Sequence, residues 1–191
     1  MKVGILGGGQ LGLMLARAAR DLSIETLVLD PKADAVAGRV TRHVAADWDD
    51  ADALDALADC DVVTYEFENV PTETVERLGA RVPIRPSPDS LAISGDRLRE
   101  KTLFNDLGIE TAPFVEVDSR ADLDRAVGEI GLPAVLKTRR FGYDGKGQAV
   151  LRNVADIDRA WRELGAHSVI LEGFGPFDRE GSVAAARLRV E

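Results

Sequence analysis

Through the first hundred residues, short apolar runs alternate with stretches in which apolar residues recur every three or four positions, the pattern of strands feeding helices in βαβ units. Residues 2–6, 26–29 and 61–67 are predicted strands. Between the first two, Leu11, Met14, Leu15, Ala18 and Leu22 fall at helical spacing and predict one apolar face laid on a parallel sheet. A second helix is predicted over 51–58. Around 81–88 the composition shifts: Pro83, Pro86 and Pro88 interrupt regular structure and mark a boundary or stiff linker.

A second run of elements follows. Residues 96–107, rich in Leu, Arg, Glu and Lys, predict a helix with Gly108 as C-cap. Strands are predicted at 114–117 and 134–138. They flank a helix over 120–130 that opens on the capping pattern of Ser119 and Asp122 and closes at Gly131. After Lys137 comes a glycine-rich loop, then a strand over 149–151, a helix over 154–164, a strand over 168–172 and a last alternating segment over 181–190. That segment reaches Glu191 without a cap or turn, which predicts that the chain is a fragment.

Composition narrows the function. The chain has 191 residues, 45% of them hydrophobic, enough to bury about 70% of the surface its unfolded form exposes. Lys and Arg number 24 against 33 Asp and Glu, a net charge of −9, so no basic stripe is available for a nucleic-acid backbone. A small phosphorylated ligand stays compatible, because a few local cations and N–H groups decide such binding. The single cysteine, Cys60, excludes an internal disulfide and predicts a reducing cytoplasm. The N-terminal residues enter a strand, without the apolar run of a signal peptide or membrane span.

Two glycine loops carry candidate chemistry. Gly7, Gly9 and Gly12 satisfy G-x-G-x-x-G between a strand and a helix, and Asp30 ends the next strand. That is the pattern of a dinucleotide site, with phosphate at the helix's positive end; it is also what close helix–strand packing alone would need. The second loop follows Lys137. Gly142, Gly145 and Gly147 free a turn for positive φ, Lys137 supplies a compact charge for phosphate, and Lys146 adds a second. A solvated hairpin with turn glycines and surface charges would share that composition. Glu172, Glu180 and Arg97 taken singly also suit surface charges, and Tyr65 and Phe67 suit sheet packing. Trp48, Trp161, His43 and His167 attract no role.

With Lys137, Arg140, Phe141 and the run Gly142-Tyr143-Asp144-Gly145-Lys146-Gly147-Gln148 in view, the sequence resembles the ATP-grasp superfamily. Within it, the run resembles the lid of the 5-(carboxyamino)imidazole ribonucleotide synthase family. The opening Gly7–Gly12 loop, the acidic segment Tyr65-Glu66-Phe67-Glu68-Asn69-Val70-Pro71 and the stretch from Glu172 to Glu180 resemble the same family. The resemblance implies an α/β fold: a Rossmann-like, parallel-sheet pre-ATP-grasp domain over 1–95, an α+β ATP-grasp lid subdomain over 96–174, and the start of a truncated C-terminal subdomain over 175–191.

The resemblance also implies roles. Arg97, Lys137, Gly142, Tyr143, Asp144, Gly145, Lys146, Gly147 and Gln148 would contact ATP. The hinge Glu172, Gly173, Phe174 and Gly175 would receive adenine, and Glu180 the ribose. Tyr143, Asp144, Lys146, Glu66, Glu68, Gly9, Gln10 and Leu11 would face the aminoimidazole ribonucleotide. In the family reaction bicarbonate attacks the γ-phosphate to give carboxyphosphate, and the ribonucleotide's amine takes up the carboxyl group. The family's magnesium carboxylates lie downstream of residue 191, so no metal ligand is expected in this chain and the fragment is expected to be inactive alone. Gly181 departs from the family's aliphatic residue and loosens the placement of Glu180. The family is commonly dimeric. The alternatives that share some of these features are formate-dependent glycinamide ribonucleotide transformylase, an NAD-binding Rossmann protein and a non-catalytic nucleotide-binding or interaction module.

Overall fold

A computed structural model describes residues 1–142, 145–165, 167–175 and 177–183 of the chain. It divides into two compact units, residues 1–110 with 138–144, and residues 111–137 with 145–191.

In the first unit, β1 (Lys2–Leu6), β2 (Glu25–Leu29), β3 (Arg42–Val44) and β4 (Val62–Tyr65) form a parallel sheet in the order β3-β2-β1-β4. Alternate strand residues serve opposite faces, as the pleat requires. Leu6, Leu27, Leu29 and Val63 join a core with Leu54 and Leu57 of α2 (Ala51–Ala58), Val75 and Leu78 of α3 (Thr72–Gly79) and Leu91 of α4 (Pro88–Ser94). On the other face Ile5 and Val28 meet Leu13 of α1 (Gln10–Asp21) and Ala37 of a short 3-10 turn. The sequence pattern missed β3, α3 and α4. Each is short, and α4 begins on Pro88, which suits the first turn of a helix because its missing N–H has no helical partner there. The proline-bearing stretch is packed in place: Val82 and Ile84 are buried, and Ile84 bridges to Val63.

The buried side of α1 differs from the one the apolar spacing predicts. Gly12, Leu13 and Ala16 face the sheet, whereas Leu11, Met14, Leu15 and Leu22 are exposed, Met14 by 62% and Leu22 by 72%. Close approach decides this. A Cβ on Gly12 would stand 2.5 Å from the Gly7 carbonyl oxygen, so the helix start presses onto the loop on its small-residue side and its bulky residues turn outward.

α5 (Arg97–Asp106) completes the helices of this unit, with the Asp96 carboxylate accepting from the Leu98 N–H as its N-cap. The second unit holds β5 (Phe114–Val117), β6 (Ala134–Thr138), β7 (Gln148–Leu151) and β8 (Val169–Gly173) in the order β5-β8-β6-β7, with antiparallel β5–β8 and β6–β7 pairs. Leu123 and Ala126 of α6 (Arg120–Ile130) and Ile157 and Ala160 of α7 (Ala155–Leu164) pack with Leu136, Leu151 and Leu171 of this sheet in one core. Ser119 caps α6 through the Asp122 N–H, and Gly131 closes it at φ 83°, as the sequence predicts. Of the strand predicted over 181–190, residues 181–183 have no regular structure and 184–190 lie outside the described residues. Among the described residues no helix is long and apolar enough to cross a membrane.

The two faces of α1 respond differently to substitution. Gly12→Ala is expected to destabilise by about 1–3 kcal/mol through overpacking against backbone that cannot yield, whereas Leu15→Ala stays within about 0.5 kcal/mol. Urea unfolding of both variants measures this, and equal losses would contradict the face assigned here.

Candidate functional site

In β6, Ala134, Leu136 and Thr138 are buried, and the pleat sends Val135 and Lys137 to the opposite face. Lys137 pairs in register with Gln148 of β7, and its Nζ lies 2.9 Å from Oε2 of Glu172 on the neighbouring strand β8. The two side chains are only 20% and 7% exposed. A carboxylate this buried requires a cation and hydrogen bonds to offset desolvation, and Lys137 meets part of that need. Gly145 and Gly147 of the following turn have φ 77° and 70°, the left-handed region that glycine enters without a Cβ penalty. Lys146 stands exposed between them, and Gln148 opens β7. Tyr143 and Asp144 lie outside the described residues.

Two of the residues expected as the hinge are held by backbone bonds. Gly173 ends β8 with its N–H on the Pro113 carbonyl at 2.8 Å, and the Phe174 N–H reaches the Pro133 carbonyl at 3.4 Å. Phe174, Gly175 and Glu180 are exposed, and Glu180 sits in irregular backbone.

In the first unit, a polar cavity of about 210 Å³ is lined by Arg97, Glu68, Asn69, Ser94, Glu100, Arg139, Arg140 and Gly142, among others. Arg139 on its wall is held by a bidentate ion pair, donating Nε to Asp96 Oδ1 at 3.1 Å and Nη2 to Asp96 Oδ2 at 2.7 Å. Burial alone would push the Asp96 carboxyl up, but the bond and charge of Arg139, with the N–H groups of Leu98 and Arg99, hold it below the usual carboxylate value. Phe141 takes φ 63°, uncommon for a bulky residue, with the Arg140 guanidinium 5.9 Å from its ring centre. Sequence reasoning singled out Arg97 and missed Asp96, Arg139 and Arg140. An acidic residue directly before a helical run and two arginines directly after a strand were the available signals.

The first glycine loop is arranged otherwise. The Gly8 N–H donates to Asp30 Oδ2 and the Gly9 N–H to Glu66 Oε1, each at 2.8 Å, and Asp30 Oδ1 accepts from the Lys32 N–H. A dinucleotide would need those N–H groups for its pyrophosphate and Asp30 for a ribose, and here they satisfy one another. A Cβ on Gly7 or Gly9 would stand 2.9 Å from Glu66, so the glycines serve close packing of this carboxylate.

Gly9 and Glu66 line a second cavity of about 350 Å³ with Asp30, Pro31, Lys32, Trp48 and Phe67. Phe67 is therefore not sheet packing: β4 ends at Tyr65, and Phe67 is 41% exposed on the cavity wall together with Trp48, to which the sequence assigned no role. Glu66 and Glu68 consequently face different cavities. Gln10 and Leu11 open α1 exposed. The Cys60 thiol is buried, and desolvation raises its pKa, so it is poorly suited to chemistry. Among the described residues no three His, Cys, Asp or Glu side chains converge as metal ligands.

Comparison with known proteins places this geometry. Residues 1–95 match the ribonucleotide synthetase preATP-grasp domain and residues 102–191 the ATP-grasp domain. The N5-carboxyaminoimidazole ribonucleotide synthase of Pseudomonas aeruginosa is 54% identical over 190 residues, which are 99% of this chain and 53% of that protein. The crystal structure of the N5-carboxyaminoimidazole ribonucleotide synthetase of Thermus thermophilus superposes with TM-score 0.85 at 47% identity, over 93% of this chain and 48% of the other. An Aspergillus clavatus synthase solved with ADP and 5-aminoimidazole ribonucleotide gives TM-score 0.82 at 30% identity, over 93% and 47%. The chain spans about half the length of the curated relatives it matches.

Removing the cation from the buried pair tests the energetics. Lys137→Ala is expected to cost about 3 kcal/mol of stability, because Glu172 is left buried without its ammonium. The added substitution Glu172→Gln should restore part of it. A double-mutant cycle by urea unfolding measures the coupling, and strict additivity would contradict the pairing.

Proposed function

The chain belongs to the N5-carboxyaminoimidazole ribonucleotide synthase family of ATP-grasp proteins, and from that premise we propose that it binds ATP for the carboxylation of 5-aminoimidazole ribonucleotide with bicarbonate in purine biosynthesis. The observation that carries this reading is Lys137 at the end of β6, paired with a buried carboxylate and followed by a turn with two left-handed glycines.

Phosphoryl transfer depends on positioning and charge neutralisation around the transferred group. In this reading Lys137 and Lys146 supply point charges to the phosphates, Gly142, Gly145 and Gly147 let backbone N–H groups turn toward them, and Gln148 follows. Tyr143 and Asp144 belong to the same loop. Arg97 contributes a guanidinium from its own cavity. Glu172, Gly173, Phe174 and Gly175 receive adenine, and Glu180 the ribose hydroxyls. Gly9, Gln10, Leu11 and either Glu66 or Glu68, together with Tyr143, Asp144 and Lys146, serve the ribonucleotide or bicarbonate. The Gly9–Glu66 hydrogen bond supports Glu66 as a residue held at a strand end rather than free on the surface.

Magnesium is the ion that would neutralise the triphosphate. Among the described residues no three His, Cys, Asp or Glu side chains converge, and an ion carried in on the phosphates needs only one or two carboxylates. The chain spans about half the length of its relatives, and in this reading the 191 residues bind nucleotide without turning over. The reading is cytoplasmic, consistent with one buried thiol and no internal disulfide. A net charge of −9 argues against nucleic-acid partners, and the resemblance is to a family that is commonly dimeric.

Calorimetric titration with magnesium-ATP, ADP and NAD tests the proposal. Binding of ATP and ADP, absence of NAD binding, and no product from bicarbonate and 5-aminoimidazole ribonucleotide are expected. NAD binding unaffected by ATP would contradict it.

A further inference from the structure

Arg97 and Arg140 line the same cavity of about 210 Å³, and neither is in any of the ion pairs found among the described residues. Glu68 and Glu100 line it too and offset part of the repulsion between the two guanidinium groups, while the segments that carry the arginines are joined by bonds of their own. The segments are the start of α5 and residues 138–142. Their join is doubly made. The Arg97 N–H donates to the Arg139 carbonyl at 2.9 Å, while the side chains one residue before Arg97 and one before Arg140, Asp96 and Arg139, form the bidentate pair. Asp96 is 5% exposed and also caps α5 through the Leu98 N–H. One carboxylate thus fixes the helix start and, through Arg139, the stretch leading into the glycine loop. It does not itself line the cavity.

We propose that Asp96 is a positioning residue for phosphate binding: acting through Arg139, it holds Arg97 and Arg140 on the wall of one cavity. The claim rests on the ATP reading above and adds to it a residue that contributes to nucleotide affinity from outside the site. The geometry makes the fork of Arg139 essential, since a lysine would keep the charge but lose one of the two bonds that set the angle between the segments.

The test titrates magnesium-ATP into the unsubstituted chain and into Asp96→Asn, Asp96→Ala and Arg139→Lys, well below each variant's Tm, with Arg81→Ala as an exposed ion-pair control. Amide exchange at Arg97 is followed in parallel. Affinity is expected to fall about tenfold or more in Arg139→Lys and Asp96→Ala and less in Asp96→Asn, which keeps a capping oxygen. The Arg97 amide should exchange faster in the weakened variants, and the control should match the unsubstituted chain. A merely structural pair would lower Tm and leave the affinity of the folded chain unchanged, and that result overturns the proposal. If Asp96→Ala does not fold, Asp96→Asn decides, because Arg139 itself lines the cavity and Asp96 does not. No binding by the unsubstituted chain would overturn the nucleotide reading itself, and the positioning role with it.

Discussion

A buried carboxylate must find a cation, and each unit of this protein meets that constraint where its candidate chemistry lies. Glu172 takes Lys137 in one unit, and Asp96 takes Arg139 in the other. Breaking such a pair costs more than forming it gains, because the partner left behind stays desolvated. The cations of both pairs are therefore not free-swinging surface charges, and in the first unit Arg97 hangs from a segment bonded to the one that carries Arg140.

The two glycine loops show how the same residue type serves different ends. In Gly7–Gly12 the helix N-terminus, the natural anion site of a βαβ unit, already receives Glu66, and Asp30 takes the neighbouring N–H. Gly12 lets the helix close down on the loop. In the loop after Lys137, Gly145 and Gly147 adopt left-handed backbone, and a Cβ on Gly145 would meet Gln148 at 3.9 Å, an ordinary contact, where one on Gly7 or Gly9 would collide with Glu66.

Much of this was legible in the sequence, for identifiable reasons. Strands β1, β5 and β6 and helices α2 and α6 carry strong apolar periodicity, a capping pattern or a closing glycine, and the structure places them at the predicted residues. The side of α1 that packs was not legible, because periodicity counts apolar residues and cannot see that Gly12 and Ala16 win by their smallness. Short elements such as β3 and α4 hold too few residues to show a period. Lys137 and the glycine turn stand out as residue types suited to phosphate, and Arg97 enters only through the family resemblance. Their partners Asp96, Arg139 and Glu172 become visible as pairs only when long-range folding brings them together: Asp96 and Arg139 are 43 residues apart, Lys137 and Glu172 35. Phe67 reads as a packing residue from strand alternation, but the strand stops two residues earlier.

The central claim is that nucleotide binding belongs to the Lys137 loop and the Arg97 cavity, and not to the glycine loop at the start of the chain. Backbone amide shift mapping of the isotope-labelled chain during titration with magnesium-ATP tests it most directly. The account predicts saturable shifts at Arg97, Lys137, Gly145, Lys146, Gly147 and Glu172, with Gly7, Gly8 and Gly9 unmoved. Shifts concentrated at Gly7, Gly8, Gly9 and Asp30, with Lys137 and Arg97 silent, would contradict it.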